Sequence, residues 1–237
     1  MFNKKEDIEK MIEKKGFLPF FYNGIEGFSI EEHTPKELWF NDEKDGPWEW
    51  KGPLIIEGGF AYGKFFQNKA GFISMDWFPD FLNYRRSTHR LSYDEQIILN
   101  TLTENESLLS KELKKLCGYV APKKKVERNP LLKAVEKQNN LPSTRPAERK
   151  REAFDTAITK LQMSCHIITA DFEYNYDKEG KRYGWGVARY CTPEAFFGAE
   201  NFEHTNYSPE ESRFKIFQHL AQLLPHATEE QLQKLIG

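Results

Sequence analysis

Residues 166–190 read HIITADFEYNYDKEGKRYGWGVARY, and their alternation decides the architecture. Apolar and aromatic residues recur at every second position on both sides of DKEGK, the period of two strands that each turn one face inward. Gly180 supplies the positive φ that a tight connection between such strands demands. Upstream, the period changes. Residues 147–164 carry Phe154, Ile158, Leu161 and Met163 at helical spacing, and 107–118 do the same with Leu109, Leu113, Leu116 and Cys117 before Gly118. Residues 92–102 place Tyr93, Ile97, Ile98 and Leu102 on one helical face. Three helices followed by a hairpin is the plan of a winged helix.

The first ninety residues follow a similar order. A helix over 3–15 buries Ile8, Met11 and Ile12 and stops at Gly16, while Thr34, Pro35 and Glu37 read as cap, first residue and capping-box partner of a short helix. FAYGKFFQNKAGFIS, residues 60–74, reads as a hairpin, and 75–86 as an aromatic helix interrupted by Pro79. Two C-terminal helices start at Ser208, with Pro209 and Glu211, and at Thr228, with Gln231. The expectation is therefore an α+β protein of tandem winged-helix-like units: residues 1–90, residues 91–198 with a basic insertion over 119–148, and a helical segment over 199–237.

Composition narrows the setting. Of 237 residues 30% are charged, yet 14% are aromatic, including 19 phenylalanines, too many for a chain without a core. No apolar run approaches the ~18 residues of a membrane span, and the charged N-terminus has no signal-peptide core. Three cysteines without CxxC spacing argue against a disulfide framework, and six unclustered histidines against a metal site; a cytoplasmic location, without cofactor or metal, is expected. The net charge of −2 hides an asymmetry: residues 111–151 hold 13 basic and 4 acidic groups, a local +9 in an otherwise acidic protein. A polyanion would begin there.

The lines LPFFYNGIEGFSIEEHTPKELWF, DGPWEWKGPLI, AYGKFFQNKAGFISMDWFPDFLNYRR, SLLSKELKKLC, FDTAITKLQMSCHIITADFEY and YGWGVARYCTPEAFF resemble uncharacterised bacterial proteins related to the winged-helix DNA glycosylases of the AlkZ and YcaQ type. The resemblance to those relatives runs over most of the chain and implies consecutive winged helices, a DNA partner and an ancestry in the excision of alkylated or crosslinked bases. Active members carry an early Gln-x-Gln or Gln-x-Asp motif that positions a hydrolytic water. Here the first ninety residues contain only Gln67, and the spacing recurs only at Gln231 and Gln233 near the other end, so the motif does not carry over.

The residues themselves supply candidates. On the third helix of the second unit, Arg149, Arg151, Thr156, Thr159, Lys160 and Gln162 form a polar face suited to a DNA groove, against the plainer reading of a solvated face. Lys123, Lys124 and Lys125 in the insertion, and Lys181 and Arg182 at the hairpin tip, are placed to meet phosphates. In NDEKDGPWEWKGPLI, residues 41–55, Trp48 and Trp50 could stack a flipped base while Asp45 or Glu49 activates water or stabilises cationic charge at a sugar. The plainer reading packs both tryptophans inward behind a Gly46-Pro47 turn and leaves Glu49 and Lys51 wet. A protein-interaction module of winged-helix type without a nucleic-acid role is the alternative function, to which the overall acidity points.

Overall fold

The computed structural model describes residues 1–41, 44–120, 151–180, 182–203 and 207–237. The N-terminal unit runs α1 (Lys5–Lys15), β1 (Phe17–Pro19), α2 (Ile30–His33), a 3₁₀ turn (Lys36–Leu38), α3 (Pro47–Ile56), β2 (Ala61–Phe66), β3 (Lys69–Ile73) and α4 (Phe78–Ser87). The second unit runs α5 (Tyr93–Asn105), β4 (Ser107–Leu109), α6 (Ser110–Leu116), α7 (Phe154–Met163), β5 (Ile168–Tyr176) and β6 (Arg182–Cys191). Then come α8 (Pro193–Phe197), a second 3₁₀ turn (Ala199–Asn201), α9 (Pro209–Leu223) and α10 (Glu229–Ile236).

Both units build the same small sheet. A short first strand pairs antiparallel with the last strand of the hairpin, giving the orders β1-β3-β2 and β4-β6-β5. The chain is thus an α+β fold with two small antiparallel sheets and C-terminal helices. In the first hairpin Gln67 (φ 50) and Asn68 (φ 65) both take positive φ, the geometry whose twist matches that of the flanking strands. The longer β5–β6 hairpin turns at Gly180 (φ 79) and shifts register twice along its length.

Local capping rules account for most helix starts. Ser92, Ser208 and Thr228 each accept the amide of the residue three positions on, while Glu95, Glu211 and Gln231 reach back to the cap amide. The expected cap at Thr34 is corrected by an earlier cap. Ser29 accepts from Glu32 and opens α2, and the Thr34 hydroxyl instead closes that helix by donating to the Ile30 carbonyl at 2.8 Å. A second correction concerns Ser107–Leu109, read as the start of a helix. They form β4 because Leu109 pairs with Arg189 and Ser107 with Cys191, partners far away in sequence. Helix α7 likewise begins at Phe154, later than the periodicity suggested.

One apolar cluster draws on every part of the chain: Phe17, Phe65 and Phe81 from the first unit, Cys165, Ile168 and Cys191 from the second, and Ile216, Leu220 and Leu235 from the C-terminal helices. Buried polar groups sew the same parts together. Asp80 on α4 accepts from the Ser212 hydroxyl (2.8 Å) and the Lys215 amine (2.5 Å) on α9, and Arg85 donates to the Met163 (2.6 Å) and Ile236 (2.9 Å) carbonyls. The two units are therefore fixed face to face: α7 packs on β2, and β5 packs on both β2 and α3. That stacking creates a cleft.

Candidate functional site

The cleft is built upward from Gly46. This residue caps α3, and a side chain there would place its Cβ 1.7 Å from the Leu38 carbonyl oxygen, so only glycine lets the preceding 3₁₀ turn lie against the helix start. Pro47 follows at the first helical position, where its missing N–H costs nothing. Trp39 and Phe40, carried by that turn, are thereby brought beside Trp48 in the first turn of α3. The Trp39 and Trp48 rings meet edge to face at 5.6 Å, and Phe20 and Phe21 pack behind them at 5.5 and 6.0 Å from Trp48.

The opposite wall comes from the second unit. Tyr174 on β5 donates its hydroxyl to the Trp48 carbonyl at 3.1 Å, and the Arg182 guanidinium lies 4.3 Å above the Tyr174 ring. A Cβ at Gly186 would meet that ring at 2.9 Å, which is why β6 carries glycine where it passes beneath the tyrosine. Between these walls lies a space of about 530 Å³, lined by Trp39, Phe40, Trp48, Lys51, Tyr174 and Arg182, with Asn41, Glu49, Gly184 and Gly186 completing it. Its size falls within the range of small-ligand clefts.

Among the described residues, three charged side chains line it. Glu49 is half-buried and both its oxygens are engaged: Oε2 accepts the Gly46 amide at 3.0 Å, closing the capping box, and Oε1 pairs with Arg182. Arg182 is held charged by this pairing, which outweighs the desolvation of its guanidinium. Lys51 differs. It is only 8% exposed, and no ion pair holds its ammonium among the described residues. Its Nζ sits 3.6 Å from the centroid of the Phe172 ring and 5.0 Å from that of Trp48. Burial pushes its pKa down to about 8, with Arg182 lowering it further and Glu49 partly opposing.

The sequence candidates distribute unevenly over this geometry. Trp48, Glu49 and Arg182 come together in the cleft, while Asp45 is exposed just before α3, within electrostatic reach of Arg182. Trp50 does not line it, being buried among Ile8, Leu54 and Phe60. Lys51, expected to stay wet, is corrected to a buried position, because Phe172 from the other unit covers it.

On α7 the expected polar face divides. Thr156 and Lys160 are exposed, but Lys160 pairs with Glu152 at 2.5 Å, and Thr159 accepts from the Lys64 amine at 3.1 Å. Gln162 is only 2% exposed; its side-chain carbonyl accepts the Lys64 backbone amide at 3.1 Å, so it clamps α7 onto β2 and faces no groove. Arg151 donates to Asp94 (3.2 Å) and the Cys117 carbonyl (3.0 Å) and stacks on Tyr119, closing the gap between α5 and α6. Lys123, Lys124, Lys125, Arg149 and Lys181, with the basic insertion from residue 121 onward, lie outside the described residues.

Of the glutamines, Gln67 sits in the exposed hairpin turn, and Gln231 caps α10 while donating to the Gly24 carbonyl. Cys117, Cys165 and Cys191 are buried free thiols. Among the described residues no group of three His, Cys, Asp or Glu side chains could hold a metal ion, and no helix is long and apolar enough to cross a membrane.

A family model described as AlkZ related matches residues 2–237. The chain belongs to the AlkZ-related family. No curated protein and no solved structure matches it. Across the family's full-length match, the cleft joins residues from the DGPWEWKGPLI and YGWGVARY lines, which lie on opposite walls.

Proposed function

We propose that this chain binds DNA and accepts one unstacked nucleotide in the cleft between α3 and the β5–β6 hairpin. The observation that carries the reading is the pairing of aromatic walls with cations: Trp39, Trp48 and Tyr174 offer ring surface, and Arg182 and Lys51 stand among them. Aromatic surface recognises any base through its π face, at ~1–3 kcal/mol per stacked base, and cations beside it suit the adjoining phosphates. Membership of the AlkZ-related family supports a relation to DNA repair. The polar face of α7 supports it less, since Gln162 and Thr159 are turned to β2.

Hydrolytic excision of the base is the finer proposal within this reading. Among the described residues Asp45 is a carboxylate open to solvent beside the cleft, whereas Glu49 is committed to Gly46 and Arg182. Release of free base from alkylated duplex, abolished in Asp45→Asn, would support that assignment, and full activity of the variant would remove it.

Binding itself is tested by fluorescence anisotropy with intact, alkylated and single-stranded probes across ionic strength. Affinity should fall with salt, and Trp48→Ala or Tyr174→Ala should weaken binding by about tenfold, the equivalent of ~1.4 kcal/mol of lost stacking. Absence of salt-dependent binding to any probe at low ionic strength overturns the reading. A protein partner is the second reading, favoured by α9, where Phe214 is 59% and Tyr207 48% exposed beside Lys215.

A further inference from the structure

Lys51 differs from the other described lysines in lining the cleft against two rings; Lys15 also lies over a ring, that of Phe28 at 5.1 Å, but donates to the Gly27 carbonyl. Lys5, Lys160, Lys215 and Lys234 are paired with Glu57, Glu152, Asp80 and Glu230, and Lys64 and Lys69 donate to Thr159 and to the Tyr22 carbonyl. Lys51 is buried against the faces of two rings and lines the cleft. Of the charged groups facing it, Glu49 is already neutralised by Arg182. An ammonium in such a place gains from ring faces but, among the described residues, lacks the paired counter-charge that buried cations ordinarily require. A primary amine that is costly to protonate is a nucleophile, and its natural target is a carbonyl carbon.

We infer that Lys51 captures an aldehyde in the cleft, specifically the C1′ aldehyde of a deoxyribose that has lost its base and opened its ring. The inference rests on the reading that the cleft takes a nucleotide of DNA, and it names the substrate class. The nitrogen lone pair attacks C1′, forming the C–N bond while the carbonyl π pair moves to oxygen and takes up a proton. The carbinolamine then loses that oxygen as water, leaving an imine between Lys51 and the sugar. Hydrolysis reverses both steps, so no oxidant or reductant is needed. An abasic sugar has no base to stack, and Lys51 lines the same space as Trp39, Trp48 and Tyr174.

At about pH 7.5 a lysine of pKa about 8 is roughly a quarter neutral, against about 0.1% for an unperturbed one, so Lys51 should react on the order of 100-fold faster than exposed lysines. The experiment incubates the full chain with a duplex holding one abasic site, or with 2-deoxyribose 5-phosphate, and traps imines with cyanoborohydride. Peptide mass mapping then locates the adducts, the Met1 amine included. The expected result is preferential labelling at Lys51 with both probes, a rate that levels off above about pH 8, and loss of that adduct in Lys51→Met.

Labelling spread evenly over the lysines with both probes overturns the inference. So does a duplex that binds, by anisotropy, without an adduct at Lys51. Labelling of Lys51 by the sugar phosphate alone, with no binding of any duplex, supports an aldehyde-reactive amine and defeats the DNA reading instead. The two can therefore fail separately.

Discussion

Replacing Lys51 by methionine keeps an unbranched side chain one atom shorter and removes the charge, so it reports what the buried ammonium costs. In the folded chain the lysine pKa is about 8, against 10.5 for an unperturbed side chain. At about 1.4 kcal/mol per pH decade that difference amounts to about 3 kcal/mol. Below about pH 8 both folded and unfolded chains carry the proton, and the whole burden falls on the folded state. Between about 8 and 10.5 the folded chain has released the proton while the unfolded chain still binds it, so stability rises with pH. Lys51→Met should therefore be more stable than the parent by about 3 kcal/mol near pH 7, and the gap should close toward pH 10.5. Urea unfolding of both proteins across that range measures the gap, and groups that titrate in both cancel in the difference. A gap that stays constant with pH, or a variant less stable at neutral pH, would refute the burial argument.

Other substitutions probe the frame around the cleft. Gly186→Ala puts a methyl group 2.9 Å from the Tyr174 ring, which must shift at a cost of ~1–3 kcal/mol; a lower thermal midpoint together with weaker DNA binding is expected, and an unchanged midpoint contradicts the close approach. Gln162→Leu removes the acceptor for the Lys64 amide and should cost ~1–2 kcal/mol in urea unfolding, whereas a neutral result would show that this bond adds nothing to the packing of α7 on β2. Arg151→Ala should lower stability by ~1–2 kcal/mol through Asp94 and the Cys117 carbonyl, with DNA affinity unchanged; a loss of affinity at full stability would return Arg151 to the binding surface.

Much of the fold was legible because its signals are local. Capping boxes at Ser92, Ser208 and Thr228 act within one turn, and the β5–β6 alternation is a property of consecutive residues. The misreadings arise where two signals of the same kind compete or where a distant partner decides. Ser29-x-x-Glu32 and Thr34-x-x-Glu37 are both capping patterns, and the first took the helix; the Thr34 hydroxyl then had a carbonyl to serve. Leu109 has helical neighbours, but the edge of β6 offered it a strand partner. Gln162 stands on the polar side of its own helix and is buried only because β2 presents an unpaired amide there.

The cleft was half legible for the same reason. The helical period of α3 sets Trp48 and Lys51 three residues apart on one face, so a lysine beside a tryptophan after a Gly-Pro start could have been marked from the letters alone. What makes that lysine unusual is supplied from elsewhere: Phe172 covers it, and Arg182 neutralises the only carboxylate on its helix turn that could have paired with it. A surface lysine replaced by a long apolar residue would cost the protein little at this position. The fold instead keeps an amine whose charge burdens the native state at neutral pH, in a cleft walled by aromatic rings. The pH dependence of Lys51→Met reads the cost of burying the ammonium, and the mapping of trapped imines reads the chemistry proposed for it, so the two are measured separately.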